Sequence, residues 1–396
     1  MKRPDSLLFL APGDVRKARV EPISWMKTCA AFADQGIDVT LVTLRIRMPD
    51  AVPRDAIWGH FGVAPVFSVW MLPSALTQSS SKAAFRLWAG VLATAIAVGV
   101  MLRATLTGHR PLIYARSLVM MAPVDALRRF VPRSRRPALV FETHVLPVRS
   151  NWGLVRRADL VVANSQRLRD DLVSELDLPA ERVVCAPLPP YAQIEPTDRV
   201  TARSELGLKQ DASIICYAGK MFEELNELLL RTGAVLRDRR PPVQLMLVGG
   251  NPEILRWTRE RITAEGLDGW LTLAGFVPPH QVGVYMSAAD VLLFVMLPSQ
   301  EHFEYCTPAK GLDYQAVGRP IVALDIPLFD EVFGRDGERA IKIARPEPSL
   351  LADGIEAALS LGREGQAMSA RAQRFAGSRS WEHRVSHVMK SLAELG

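Results

Sequence analysis

Residues 213–248 read SIICYAGKMFEELNELLLRTGAVLRDRRPPVQLMLV. The stretch opens on a short apolar run, 213–218, with the composition of a buried strand. It continues through 223–238 with apolar residues at helical spacing and closes on a second apolar run, 243–248. Strand, helix and strand in close succession form a parallel βαβ unit, because parallel neighbours need a crossover between them. Downstream the alternation predicts a helix at 256–265, a strand at 271–274, a short helix at 281–287 and a strand at 291–295. A helix at 308–317, a strand at 320–323 and a helical tail from Trp381 to Leu395 follow.

The upstream half has the same grammar. Apolar runs at 7–11, 39–44, 112–115, 138–141 and 160–163 read as strands, and 22–35 as a helix that Gly36 ends. Pro187, Pro189, Pro190 and the polar run to Asp198 read as a linker. Alternation of this kind means doubly wound parallel sheets. The expected fold is therefore α/β, with two Rossmann-like domains, one at 1–190 and one at 200–377, facing a cleft. At 396 residues the chain exceeds the roughly 250–300 residues at which a single core stops growing. Ligands of such sheets bind beyond the carboxyl ends of the strands.

Composition excludes several classes. Nearly half the chain is apolar and about a quarter charged, as in a globular protein. Cys29, Cys185, Cys216 and Cys306 show no CxxC pair and no His at ligand spacing, which predicts free thiols in a reducing cytosol. No zinc-finger, RNP or basic–aromatic pattern suggests nucleic acid. The apolar run behind Met1-Lys2-Arg3 is too short for a signal peptide. Residues 1–190 carry about ten more basic than acidic groups and the remainder about four more acidic than basic. A basic first half attracts an anionic surface or substrate.

Between Arg86 and Arg103 lies LWAGVLATAIAVGVML, with no charge. It falls short of the roughly 20 residues of a membrane span. A fully buried helix is the first expectation and a helix dipping into one leaflet the alternative. The run from Arg128 to Arg136 contains five Arg, either a solvated loop or a contact for anionic lipid.

The segment TPAKGLDY, 307–314, carries the chemistry. Thr307 is a good N-cap and Pro308 suits a first helical position, so a helix begins there. Lys310 then occupies a first turn, where a cation opposes the helix dipole by about 0.3–1 kcal/mol. An anion bound at that helix start removes the conflict, which makes it a candidate phosphate site. Asp313, one turn on, can accept two hydroxyl hydrogen bonds from a ribose diol.

Residues 307–325, TPAKGLDYQAVGRPIVALD, resemble the retaining GT-B glycosyltransferases of the large family 4, or group 1, type. Their pattern is roughly S/T-P-x-K-x-x-E-Y-x-A-x-G-x-P-V-V-A. RRADLVVANSQRLRDDL, IICYAGKM, LMLVGGNPE, LAGFVPPHQVGVYMSAADVLLF and SWEHRVSHVMKSL resemble other blocks of that family, in the family's order. The resemblance implies that 378–396 form a helix crossing back to the first domain. It also implies donor contacts from Thr307, Lys310, Asp313, Gly219 and Lys220, with Phe276 and Val277 bordering the base. Gly13 would allow close approach of a substrate, and His144 would orient the reacting sugar, so that His144 and Lys220 are the catalytic pair. Arg16, Arg116 and Glu142 are expected on the acceptor side.

Three departures stand out. Tyr305 occupies the place of a sugar-binding Glu, with Glu301 and Glu304 as possible replacements. Residues 222–227, FEELNE, lack the second basic residue of the pattern, and Asp313 stands for Glu. The expected activity is transfer of a hexosyl group from a nucleotide-diphosphate sugar to a glycan or lipid-linked acceptor, with retention. It is expected in the cytoplasm or on the inner membrane face, in polysaccharide biosynthesis, with no metal and no other cofactor. A non-catalytic GT-B scaffold and a GT-B sugar-nucleotide epimerase are the rivals. An NAD-type oxidoreductase is disfavoured, because APGDVRKAR after the first strand holds a single Gly.

Overall fold

The computed structural model describes residues 4–395 except 18–19, 192–193, 240–242, 298, 300–303 and 306–308. The chain divides into two compact units, one comprising Met1–Leu188 with Trp381–Gly396, the other Pro189–Ser380.

The first unit is built on a seven-stranded sheet ordered β3-β2-β1-β4-β5-β6-β7. Its strands are β1 (Ser6–Leu10), β2 (Asp38–Arg47), β3 (Ser68–Thr77), β4 (Leu112–Ala115), β5 (Leu139–Thr143), β6 (Leu160–Ala163) and β7 (Val183–Cys185). The second unit has a six-stranded sheet ordered β10-β9-β8-β11-β12-β13. These strands are β8 (Ser213–Ala218), β9 (Val243–Val248), β10 (Leu271–Gly275), β11 (Val291–Phe294), β12 (Ile321–Leu324) and β13 (Ile341–Ile343). Every pairing is parallel. Both strand orders reverse beside their first strand, between β1 and β4 and between β8 and β11. These reversals are where doubly wound sheets bind ligands.

β3, β7 and β13 are additions to the strands read from sequence. β3 holds Pro73 and lies at the sheet edge, where a missing amide donor is tolerated, and its burial alternates rather than running continuously. β7 and β13 have three residues each, too few for a pattern. Cys29 and Cys216 are buried, Cys185 half-buried, and none of the three is in a disulfide; Cys306 lies outside the described residues.

The apolar run at 87–102 belongs to the helix Lys82–Thr107, and its burial corrects the core-helix expectation. Ala89, Ala93, Ala97, Met101 and Ala104 face the protein, while Leu87, Val91, Val98, Leu102 and Leu106 are exposed. The small residues allow close approach to the helix Leu118–Arg128, and Gly90 faces Val119. The large residues are left outside.

The C-terminal helix Trp381–Glu394 packs on the helix Val20–Asp34 of the first unit. Val385, Val388 and Leu392 are buried at helical spacing. Arg384 goes in with them: its Nε donates to the Ala186 carbonyl at 3.0 Å, and it pairs with buried Glu142 at 3.0 Å. A buried pair that loses one partner leaves a desolvated charge behind. Arg384→Met is expected to lower stability by about 3 kcal/mol, read as a shift of the urea midpoint. An unchanged midpoint would remove the helix's claim to be part of the first unit's core.

Candidate functional site

In the second unit the site begins where β8 stops. Tyr314, on the helix Ala309–Val317, clamps this strand end: its hydroxyl accepts from the Ala218 amide and donates to the Ala218 carbonyl, both at 2.8 Å. The Tyr217 hydroxyl donates to the Lys220 carbonyl at 2.8 Å. The turn is close-packed on β9 as well. A Cβ on Gly249, whose φ is +124°, would lie 2.0 Å from the Gly219 carbonyl oxygen. The Gly219 amide donates to Val248 and the Gly249 amide to Gly275, carrying the ladder past three strand ends.

Lys310 reaches into this turn. Its Nζ lies 3.0 Å from where a Cβ on Gly219 would sit and 3.4 Å from the Tyr217 hydroxyl. It stands 5.3 Å from the centroid of the Tyr217 ring and 5.2 Å from that of Phe294. Among the described residues no carboxylate pairs with it. Desolvation by burial pulls its pKa down from 10.5 to about 8. The first turn of the helix Ala309–Val317 thus holds a partly desolvated cation at the end where helix amides point outward, the makings of an anion site.

Asp313, one turn further, is buried. Phe276 is 71% exposed and available to stack on a planar group, while Val277 is buried in the core, which corrects its expected place beside a base. Lys220 and Glu304 are exposed. Glu301 and Thr307 lie outside the described residues.

In the first unit a second set of groups collects at the carboxyl ends of β1 and β4. Pro12, Gly13, Lys17, Glu21, Trp25, Phe85 and Arg116 line a pocket of about 260 Å³. Gly13 is required here for the Trp25 ring, whose Cη2 would lie 2.8 Å from a Cβ, rather than for open approach of a substrate. Arg16 departs from its expected acceptor role. Its guanidinium donates to both oxygens of buried Asp14, at 3.0 and 2.6 Å, and to the Ile46 carbonyl at 2.8 Å. Lys17 lines the pocket in its stead.

Glu142 is also corrected. It is 2% exposed and surrounded by its own chain. Tyr114 donates to one oxygen, Arg384 pairs with that oxygen at 3.0 Å, and His144 Nε2 lies 2.8 Å from the other. Arg116 stands 3.6 Å from that second oxygen. Burial opposes its charge, but Arg384 and Arg116 outweigh it and hold the carboxyl well below its usual range. A carboxylate so occupied has nothing left for an acceptor.

His144 is brought to Arg116 as well, whose Nη2 lies 3.1 Å from Nδ1 and 2.7 Å from Nε2. A neutral ring satisfies both partners when Nε2–H donates to Glu142 and Nδ1 accepts from Arg116. Burial first and Arg116 second lower its pKa from 6.5 to about 4, so His144 is neutral at pH 7 and suited to positioning rather than proton transfer. Tyr217, Tyr314, Gly249 and Arg384 were assigned no role from sequence. The glycines alone had a local signal, the GG pair ending LMLVGG.

Two parallel doubly wound sheets, of seven and six strands, are the architecture of the GT-B fold. The model of the family "Glycosyl transferases group 1" matches residues 212–360, within the second unit. A D-inositol 3-phosphate glycosyltransferase of Nocardioides is 29% identical over 252 residues, 60% of this chain and 54% of that protein. One of Geodermatophilus obscurus is 30% identical over 255 residues, 60% and 52% respectively. The chain thus spans about half the length of the curated relatives it matches. The structure of Anabaena HepE with UDP and glucose has a TM-score of 0.69 at 16% identity, covering 98% of this chain and 99% of that one. Sucrose-phosphate synthase from Thermosynechococcus elongatus has 0.74 at 18%, covering 99% of both. Both likenesses bear on the fold.

The His144 shift has a consequence in acid. The unfolded chain protonates this imidazole below its ordinary 6.5, whereas the folded one resists to about 4. Its contribution is therefore complete above pH 6.5 and lost as pH falls through that window. Urea unfolding of the wild type should weaken over this range, and His144→Gln should flatten the fall. Equal slopes in the two proteins would contradict the half-buried, neutral ring.

Proposed function

We propose that this chain transfers a hexosyl group from a nucleoside-diphosphate sugar to an acceptor hydroxyl, with retention of anomeric configuration. The observation that carries the reading is Lys310, an ammonium partly stripped of water at a helix start beside Gly219. A diphosphate there would pair with the ammonium and satisfy the first-turn amides together. The group 1 match over the same unit and the UDP-bound neighbour support this donor class.

Departure of the diphosphate leaves positive charge on the sugar and a growing negative charge on the phosphate oxygen. On this assignment Lys310 and the helix amides face that charge as it develops, so little reorganisation is needed. Asp313 takes the ribose hydroxyls, Phe276 covers the base, and Lys220 adds a second cation from solvent. Glu304 or Glu301 replaces the sugar-binding Glu whose place Tyr305 takes. In this reading the acceptor oxygen bonds to the anomeric carbon on the face the diphosphate leaves. The sugar–phosphate bond breaks, and the acceptor's proton passes to the departing phosphate oxygen. The chain's own groups supply the charge stabilisation, so the scheme uses no metal.

The acceptor side is the pocket of Lys17, Arg116, Trp25 and Phe85. Its two cations suit a phosphate or another anion, and its two aromatic rings suit a sugar face or lipid stem. The relatives' name specifies an inositol 3-phosphate acceptor for those proteins; for this chain we infer an anionic glycan or lipid-linked acceptor. We place the reaction in the cytoplasm, in polysaccharide assembly. A nucleotide-binding scaffold without catalysis is the second reading, favoured by the absence of Lys and Arg from 222–227.

Calorimetric titration with UDP tests the donor site. Lys310→Ala and Asp313→Ala should each weaken binding at least about tenfold, the loss of roughly one charge-assisted hydrogen bond, and Lys310→Ala should do so without lowering the melting temperature of the free protein. Unchanged affinity in both would refute the site. Lys17→Ala should raise KM for a phosphorylated acceptor and leave KM for the donor unaltered. The scaffold reading instead predicts UDP binding with neither transfer nor donor hydrolysis.

A further inference from the structure

The helix Lys82–Thr107 is inverted in size: alanines face the protein and branched aliphatics face solvent. Leu87, Val91, Val98, Leu102 and Leu106 are 68%, 54%, 42%, 57% and 79% exposed. At about 100° per residue they fall in one stripe about 100° wide. A continuous apolar stripe of this kind marks a contact surface rather than a solvated face.

The charges around it identify what covers it. From residue 56 to residue 124 the sequence has no Asp or Glu. Exposed Lys82 and Arg86 stand at one end of the helix, and exposed Arg103 at the other. The arginine loop is tied to that second end: Arg135 donates to the Thr105 carbonyl, and Arg110 donates to Ser134 at 2.7 Å. The loop adds exposed Arg129 and Arg133, with Phe130 76% exposed beneath the Arg129 guanidinium. An apolar stripe with basic ends and no acid complements an anionic lipid leaflet, apolar chains below and phosphates at the rim.

We infer that this helix lies in the plane of an anionic bilayer, with Leu87 to Leu106 in the acyl boundary and Arg103, Arg129 and Arg133 on headgroup phosphates. A span is incompatible with the alanine face, which is already occupied by the helix Leu118–Arg128. Phe85, on the same helix, lines the pocket at Gly13 and Arg116, so a docked helix presents that pocket near the surface from which a lipid-linked acceptor comes. The docking surface itself does not depend on the transferase reading.

Co-sedimentation of the full chain with vesicles tests this. Vesicles of phosphatidylcholine with about one-third phosphatidylglycerol should bind the protein at least about tenfold more strongly than phosphatidylcholine alone. The triple variant Leu87→Asn, Leu102→Asn, Leu106→Asn should lose this binding while keeping its melting temperature and UDP affinity, since all three side chains are already exposed. Arg103→Gln with Arg133→Gln should remove the preference for the anionic lipid. Failure of the wild type to bind, or equal binding by the triple variant, would overturn the inference. So would a wild-type dimer that the triple variant dissolves without any vesicle binding, which would assign the stripe to a second copy of the chain.

Discussion

The proposed donor site depends on where one ammonium can go. Lys310 begins a helix whose dipole repels it, lies between two aromatic rings, and meets no carboxylate among the described residues. Tyr217 and Tyr314 fix the end of β8 beneath it, and Gly249 allows the neighbouring strand to come close enough to support that turn. A positive charge held with so little compensation costs stability in the empty protein, and an anion recovers it. The lowered pKa of Lys310 and its fitness for a diphosphate are two consequences of one geometry.

The buried ionic cluster of the first unit is organised in the opposite way. Glu142 is matched by Arg384, Arg116, Tyr114 and His144, so its charge is spent inside the protein. Burial and Arg116 keep His144 neutral against the pull of Glu142, and the Arg384–Glu142 pair fastens the C-terminal helix to the sheet. Arg116 belongs to both the cluster and the pocket wall. The transferase reading therefore asks different things of the two units: an unsatisfied cation to hold the donor, and a satisfied cluster to hold shape.

Most of the strand–helix alternation was legible in the sequence, because strands buried on both faces leave continuous apolar runs such as SIICYA and LVVA. β3 was not, because an edge strand with Pro73 and alternating burial leaves no such run. Lys310 was legible as a charge in the wrong place on a helix. Arg384 was not, since nothing in SWEHRV distinguishes a buried arginine from a solvated one until Glu142 is seen opposite it. Glu142 and Arg16 look free in sequence because their partners come from tertiary structure or from an unremarkable nearby Asp14. The helix at 87–102 was misread for a related reason: composition shows that a segment is apolar, but only the position of its alanines shows which face is left uncovered.

The most direct measurement is the titration of the Lys310 ammonium itself, followed by NMR of lysine side-chain nitrogen and carbon in the wild type and identified by its loss in Lys310→Arg. In the free protein its midpoint should lie near 8, and saturating UDP should move it upward by stabilising the charged form. An ordinary midpoint near 10.5 that UDP leaves unmoved would contradict the account.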